Sequence, residues 1–213
     1  MTDFAAARLN MVENQVRCNA VTDLGVIAAM TGVARETFTP VANQGVAYMD
    51  QDLPVGHGRY LLQARAFAKL VQAAAIAETD SVLDIGCATG YSTAILARMA
   101  ARVVAVEENP ALAEVATKAL AGIATVVTGP LAEGAPKSGP YDVIFLNGSV
   151  PAKPEKLCAQ LAEGGRLVAI IGEGPMGQAT VYVRAQDSVT CRVVFDTPAH
   201  ALPGFETAKT FVF

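Results

Sequence analysis

From residue 81 onward, short apolar runs alternate with stretches of helical periodicity. The runs at 82–85, 103–106, 125–127, 142–146 and 166–171 are rich in Val, Ile and Leu, as strands buried on both faces require. The intervening segments 92–100, 110–121 and 153–162 repeat their apolar positions at helical spacing. Such alternation predicts an α/β fold, a Rossmann-like, doubly wound and mostly parallel sheet. Gly164-Gly165 is expected to turn the chain from helix into strand. Two β-rich runs, 179–184 and 189–195, flank Gln186-Asp187 and predict a C-terminal antiparallel hairpin. The tail from Thr197 holds Pro198, Pro203 and Gly204 and is expected to be extended. Its Phe205, Phe211 and Phe213 either pack on the sheet or leave the tail to floor a pocket.

Ahead of residue 81 the pattern differs. Leu9, Val12 and Val16 recur at helical spacing, as do Leu24, Ile27 and Met30, with Thr22 or Asp23 placed to cap the second helix and Pro40 to end the pattern. Residues 41–63 are irregular, and 52–58 (D-L-P-V-G-H-G) have the composition of a shaped loop. A helix over 64–78 follows, with Phe67, Leu70, Val71 and Ala74 on one face. The chain thus divides into a small helical N-terminal cap and substrate-side loop (1–63) and the α/β domain (64–213), expected to form one structural unit.

Composition narrows the classes. With 213 residues, 52% hydrophobic and 17% charged, there is ample material for one buried core. A formal net charge of -4 without a basic cluster argues against nucleic acid as a partner. No uncharged apolar run is long enough to span a bilayer, and Asp3 and Arg8 do not read as a signal segment, so no membrane partner and a cytoplasmic location are expected. Cys18, Cys87, Cys158 and Cys191 lack C-x-x-C spacing and read as reduced thiols. His57 and His200 are far apart in the sequence with no carboxylate or cysteine cluster beside them, so no metal site is expected.

The chemistry concentrates in S-V-L-D-I-G-C-A-T-G-Y at 81–91. A strand, a turn bracketed by Gly86 and Gly90, and a helix start together make a corner that suits a nucleotide, because glycine lets backbone approach a ligand and free N–H groups favour negative charge. Glu107 ends the second strand, where a carboxylate can accept both hydroxyls of a ribose diol. The glycines read G-x-x-x-G, not the dinucleotide fingerprint, and there is no G-K-S/T. With Asp84 ahead of it, the corner resembles motif I of the class I S-adenosylmethionine-dependent methyltransferases. The plain alternative is a glycine turn with no ligand.

A closer resemblance runs along nearly the whole chain. Residues 11–17 (M-V-E-N-Q-V-R), 35–40 (R-E-T-F-T-P), 47–50 (A-Y-M-D), 53–58 (L-P-V-G-H-G), 82–91, 104–107 (V-A-V-E), 141–144 (Y-D-V-I), Pro151 and 164–168 (G-G-R-L-V) look like the signatures of the protein-L-isoaspartate O-methyltransferases. The resemblance implies transfer of the S-adenosylmethionine methyl to an isoaspartyl carboxylate in peptides or proteins, leaving S-adenosylhomocysteine, with no metal. It implies cofactor contacts from Asp84, Gly86, Cys87, Thr89, Gly90, Glu107, Gly129 and Leu131. It places Tyr60, Leu62, Gln63 and Asn147 at the acceptor. A carboxylate with a pKa near 4 needs no general base, so the site needs positioning groups rather than a triad.

Two departures stand out. The family's G-x-G-x-T-I-S-Q-P is here G-H-G-R-Y-L-L-Q-A, so its threonine, serine and proline fall on Tyr60, Leu62 and Ala64. A carboxylate set against leucine without a donor loses roughly a few kcal/mol. Arg59, Tyr60 and Asn147 are the candidates to replace that donor. The family's G-D-G/A is Gly129-Pro130-Leu131, with the adenine-holding aspartate replaced by proline. These changes leave two alternatives: a methyltransferase with another acceptor, or a non-catalytic relative that binds cofactor. Several residues carry two readings each. Arg59 is a surface charge or an anion clamp, Tyr60 a substrate-facing hydroxyl or a lid, Asn147 a site residue or turn former, and Asp84 a cofactor orienter or helix cap. Arg65, Lys69, Glu108 and the charges at 184–192 read as solvated.

Overall fold

In the computed structural model residues 3–174, 176–186 and 188–206 are described. The chain runs α1 (Phe4–Met11), α2 (Leu24–Gly32), the hairpin β1 (Leu53–Gly56) and β2 (Arg59–Leu61), then α3 (Ala64–Ala74). It continues β3 (Ser81–Ile85), α4 (Tyr91–Leu96), β4 (Arg102–Glu107), α5 (Pro110–Ala119), β5 (Thr125–Thr128) and β6 (Tyr141–Val150). Last come α6 (Glu155–Cys158), β7 (Leu161–Ile171), β8 (Gly177–Ala185) and β9 (Ser188–Thr197). Among the described residues one seven-stranded sheet has the order β5-β4-β3-β6-β7-β8-β9. The pairs from β5 to β7 are parallel, and β8 and β9 add antiparallel to the β7 edge, the doubly wound pattern with a terminal hairpin that the periodicity implies.

Strand residues alternate between two cores, as a pleat requires. Val82, Val103, Phe145 and Val168 join the core that holds α1 to α5 and the N-terminal cap. Leu83, Val104, Ile144 and Leu167 join the other, which is closed by Leu131, Leu157, Leu202 and Phe205. That second face is covered thinly, by short turns and α6. Phe205 packs there; Phe211 and Phe213 lie outside the described residues.

Helix boundaries follow from caps. Asp23 accepts the Val26 N–H at 3.0 Å and starts α2, while Asn109 caps α5 ahead of Pro110. α3 stops short of the expected residue 78 because Arg166, reaching over from β7, donates to the free carbonyls of Ala74 and Ala75. The expected helix 153–162 shrinks to α6, because the chain joins β7 already at Leu161. Gly164-Gly165 is therefore no helix-to-strand turn. It lies in a bulge of β7, where Tyr141 pairs with Leu161 but Val143 with Arg166. Residues 53–61, read as loop, pair as a short hairpin, Leu53 opposite Leu61.

Candidate active site

β3 has β4 on one side and β6 on the other, so the strand order reverses there, and ligands in such sheets bind beyond the strand ends at that point. Gly86 follows β3 at φ +74°, and its N–H donates to Val106 O at 2.8 Å. Gly90, at φ +100°, opens α4. Between them Ala88 takes φ +51° and donates its N–H to Glu107 Oε2 at 2.8 Å. Glu107 is 0% exposed at the tip of β4, and its Oε1 accepts from the Asn109 N–H at 3.1 Å. The turn and the second-strand acid are thus one hydrogen-bonded unit.

Arg59 completes it. Its side chain, 5% exposed, leaves β2 and lies across the corner. Nη2 donates to Gly86 O at 2.8 Å, and Nε stands 3.4 Å from Glu107 Oε2. A Cβ at Gly86 would fall 2.3 Å from that Nη2, so only glycine permits the approach. Arg59 is no surface charge. Its seat on Gly86 and Glu107 is not legible in the sequence, because β1–β2 is separated from Gly86 by more than a helix and nothing local marks the contact.

Asp84 is fully buried on the same side. It accepts from Ser92 Oγ at 2.7 Å, Thr93 Oγ1 at 2.6 Å and Asn147 Nδ2 at 2.5 Å. It caps no backbone N–H; it ties α4 to β6 through side chains. Burial pushes its carboxyl up to about 6, against the opposing hydrogen bonds from Thr93, Ser92 and Asn147. The folded chain therefore holds this proton more tightly than the unfolded one. Asp84's contribution to stability is fully present below about pH 4, falls as pH rises to about 6, and is level above that. Urea midpoints measured across that window are expected to show this fall in the wild type and a flatter course in Asp84→Asn. Parallel curves would refute the assignment.

Asn147 Nδ2 also donates to Ile85 O at 3.2 Å. Both partners are acceptors, so the amide orientation is fixed and its two N–H protons are spent. Asn147 lines a cavity of about 10 Å³, roughly one water, together with Tyr60, Leu62, Cys87, Tyr91 and Ser92. Leu62 is buried there, and its carbonyl accepts from Arg35 Nη2 at 2.9 Å. Gln63 is fixed through its N–H to Asp52 Oδ1 at 2.7 Å. The Tyr60 ring stacks on His200 with centroids 3.5 Å apart.

His200 brings the tail into the site. It is not remote from acid, since its Nε2 lies 3.8 Å from Asp52 Oδ2. Ser149 N–H donates to His200 O at 2.9 Å, and Leu202 N–H to Ser149 O at 2.8 Å, so the tail runs beside the end of β6. Leu202 also packs over Gly86. The close approach depends on Gly148, where a Cβ would meet His200 O at 2.8 Å and the Leu202 side chain at 2.9 Å. Gly148→Ala is expected to cost about 1–3 kcal/mol by overpacking and to speed hydrogen exchange at the Leu202 amide. Unchanged exchange and melting would show that the tail is not held this way.

The remaining residues separate. Thr89 donates its hydroxyl to Phe38 O at 2.6 Å and anchors the corner to the cap. Cys87 is buried, and burial, with the Asp84 and Glu107 charges, pushes its thiol well up, so it is inert. Gly129 donates its N–H to Glu107 O at 3.1 Å, beside the corner. Leu131 is 0% exposed in the second core, so its side chain presents no wall to a base. Pro130 is exposed. Glu108 is not simply solvated: with Arg59, Asn109, Pro110, Leu202 and Pro203 it lines a cleft of about 400 Å³ that opens beside the corner. Lys69 lies 4.1 Å from the Phe195 ring centre, and Arg184 donates to Leu161 O at 2.7 Å, so neither is merely solvated. No cluster of three His, Cys, Asp or Glu able to hold a metal occurs among the described residues, and no helix there is long and apolar enough to cross a membrane.

The geometry fits a nucleoside donor. It presents a buried hydrogen-bond acceptor at a strand tip, a glycine corner with backbone N–H groups, and a cleft beside both. The chain is similar to known proteins along most of its length. The family model for protein-L-isoaspartate(D-aspartate) O-methyltransferase matches residues 7–197. A protein-L-isoaspartate O-methyltransferase 1 from Rhodopseudomonas palustris (strain HaA2) is 37% identical over 211 residues, 96% of this chain and 86% of the relative. One from Methylorubrum populi is 40% identical over 181 residues, 84% of each chain. A Plasmodium falciparum chain assigned to this activity, solved in complex with S-adenosyl-L-homocysteine, shares the fold at TM-score 0.79 and 18% identity, over 95% of this chain and 99% of its own. Another solved structure titled protein-L-isoaspartate O-methyltransferase gives TM-score 0.79 at 24% identity, and this chain spans 66% of its length.

Proposed function

Because the chain belongs to the protein-L-isoaspartate(D-aspartate) O-methyltransferase family, we propose that it transfers the methyl of S-adenosylmethionine to the side carboxylate of isoaspartyl residues in peptides and proteins. The observation that carries this most is the buried Glu107 carboxylate, bonded to the glycine corner through Ala88 N–H. Glu107 would hold the ribose hydroxyls, the backbone of 86–90 the amino-acid end, and the cleft lined by Glu108, Asn109 and Pro110 the base. The donor, when bound, supplies an electrophilic methyl that carries its own leaving group.

The chain supplies position and dryness. The acceptor is already ionised at pH 7, so no side chain has to take a proton. Leu62, Phe67 and Tyr91 give the small cavity an apolar wall, and a carboxylate oxygen held about 3–3.5 Å from the methyl is what the chemistry needs. Asp84 acts through Asn147 and α4 as a positioning residue. With both Asn147 N–H groups committed, Asn147 does not replace the family serine, and Leu62 leaves that donor missing. With a net charge of -4 and free thiols at all four cysteines, a peptide partner, not nucleic acid or membrane, and a reducing cytoplasm fit the chain.

An isoaspartyl peptide incubated with labelled S-adenosylmethionine is expected to gain a base-labile methyl ester, while its aspartyl twin gains none. Label on both peptides equally, or on neither, contradicts the assignment.

A further inference from the structure

We propose that Arg59 is the residue that sets donor affinity, by occupying the acceptors that the ribose of S-adenosylmethionine needs. The inference rests on the cofactor assignment above.

Glu107 Oε2 has two lone pairs. One accepts the Ala88 N–H at 2.8 Å, and the other faces Arg59 Nε at 3.4 Å. Oε1 already accepts from Asn109 N–H at 3.1 Å and keeps one free site. A ribose diol brings two O–H donors, and with Arg59 in place the carboxylate has room for one. The guanidinium also covers Gly86: its Nη2 donates to Gly86 O at 2.8 Å and lies 2.3 Å from where a Cβ on Gly86 would stand. Charge and shape thus agree: the chain supplies from within an N–H donor where the ribose would bring an O–H from outside.

Binding therefore competes with an internal contact. The measured dissociation constant is the intrinsic one multiplied by the closed-to-open ratio of Arg59 plus one. Arg59 comes from a two-strand hairpin whose turn residues His57 and Gly58 are exposed, so the side chain has solvent to withdraw into. Leu202, from the tail, packs on Gly86 beside the guanidinium. The His57, Gly58 and Arg59 edge of the cleft is the side through which it leaves.

Calorimetric titration of S-adenosylhomocysteine tests this in the wild type and in Arg59→Met, which keeps the length of the stem and removes every donor. The variant is expected to bind at least tenfold more tightly. Arg59→Lys, which keeps the charge but loses the guanidinium's fixed fork of donors, is expected to fall between. In the wild type, the Arg59 Nε–H NMR signal is expected to be shielded from solvent exchange before ligand and exposed after it. Equal or weaker binding by Arg59→Met, or an Nε–H that stays shielded at saturation, overturns the competition while leaving the cofactor assignment intact. Absence of binding to all three proteins at millimolar ligand overturns the cofactor assignment itself. The NMR readout needs no variant, so it decides even where Arg59→Met folds poorly.

Discussion

Glu107→Ala is expected to lower the free energy of unfolding by about 3–5 kcal/mol, because it removes the counter-charge that seats the Arg59 guanidinium and the acceptor of two backbone N–H groups. The Arg59 side chain is 5% exposed and has no other carboxylate within salt-bridge distance among the described residues. Two N–H groups, of Ala88 and Asn109, lose their acceptor in the same step. The pair itself is not the source of the loss. Desolvating two ions offsets most of their attraction, so replacing both by apolar residues of similar length is often neutral. The double variant Arg59→Met with Glu107→Leu is therefore expected to recover only the share due to the guanidinium, the two orphaned N–H groups still costing roughly 1–3 kcal/mol each. Urea unfolding of the two singles and the double closes the cycle. Losses that simply add would show that the two side chains do not sense each other.

Leu62→Ser is expected to raise turnover on an isoaspartyl peptide by on the order of a hundredfold, since restoring one donor to a carboxylate contributes roughly 2–3 kcal/mol. The position is right for it: Leu62 is buried on the cavity that also meets Cys87, Tyr91 and Asn147. The same change opens space in a packed wall and is expected to cost about 2–5 kcal/mol of stability, so rates are compared well below the melting temperature. Leu62→Ala is the control. It opens the same space without a hydroxyl, and its turnover is expected to stay at the wild-type level. Equal gains from both variants would mean that room, not hydrogen bonding, limits the reaction. No gain from either would mean that Tyr60 or Arg59 already supplies the contact.

Much of the architecture was legible because it is local. The strand at residues 82–85 and the acid at 107 sit where a short-range pattern puts them, and Thr22-Asp23 announces a helix start by type, Asp23 proving to be the cap. What was not legible depends on contacts distant in sequence. Arg166 ends α3 from the far side of the sheet, and Gly164-Gly165 looks like a turn until β7 is seen to pair on both sides of it. In the site the same division holds. The glycine corner and Glu107 could be found from spacing, whereas the Arg59 contact joins residues 48 positions apart with no motif between them. Gly148 carried its signal in plain view as part of Asn147-Gly148, but the cause lies in the tail at His200 and Leu202. Leu131 matched a family position and still proved to be core, because burial is decided by what the following turn packs against.

A crystal soaked with S-adenosylhomocysteine tests most directly whether the corner and Glu107 form the donor site. Both ribose hydroxyls are expected within hydrogen-bond distance of the Glu107 carboxylate, with the amino-acid end on the backbone of 86–90 and the Arg59 guanidinium displaced from Oε2. A ligand bound elsewhere at saturating concentration, with Arg59 still seated on Gly86 O and Glu107, would contradict it.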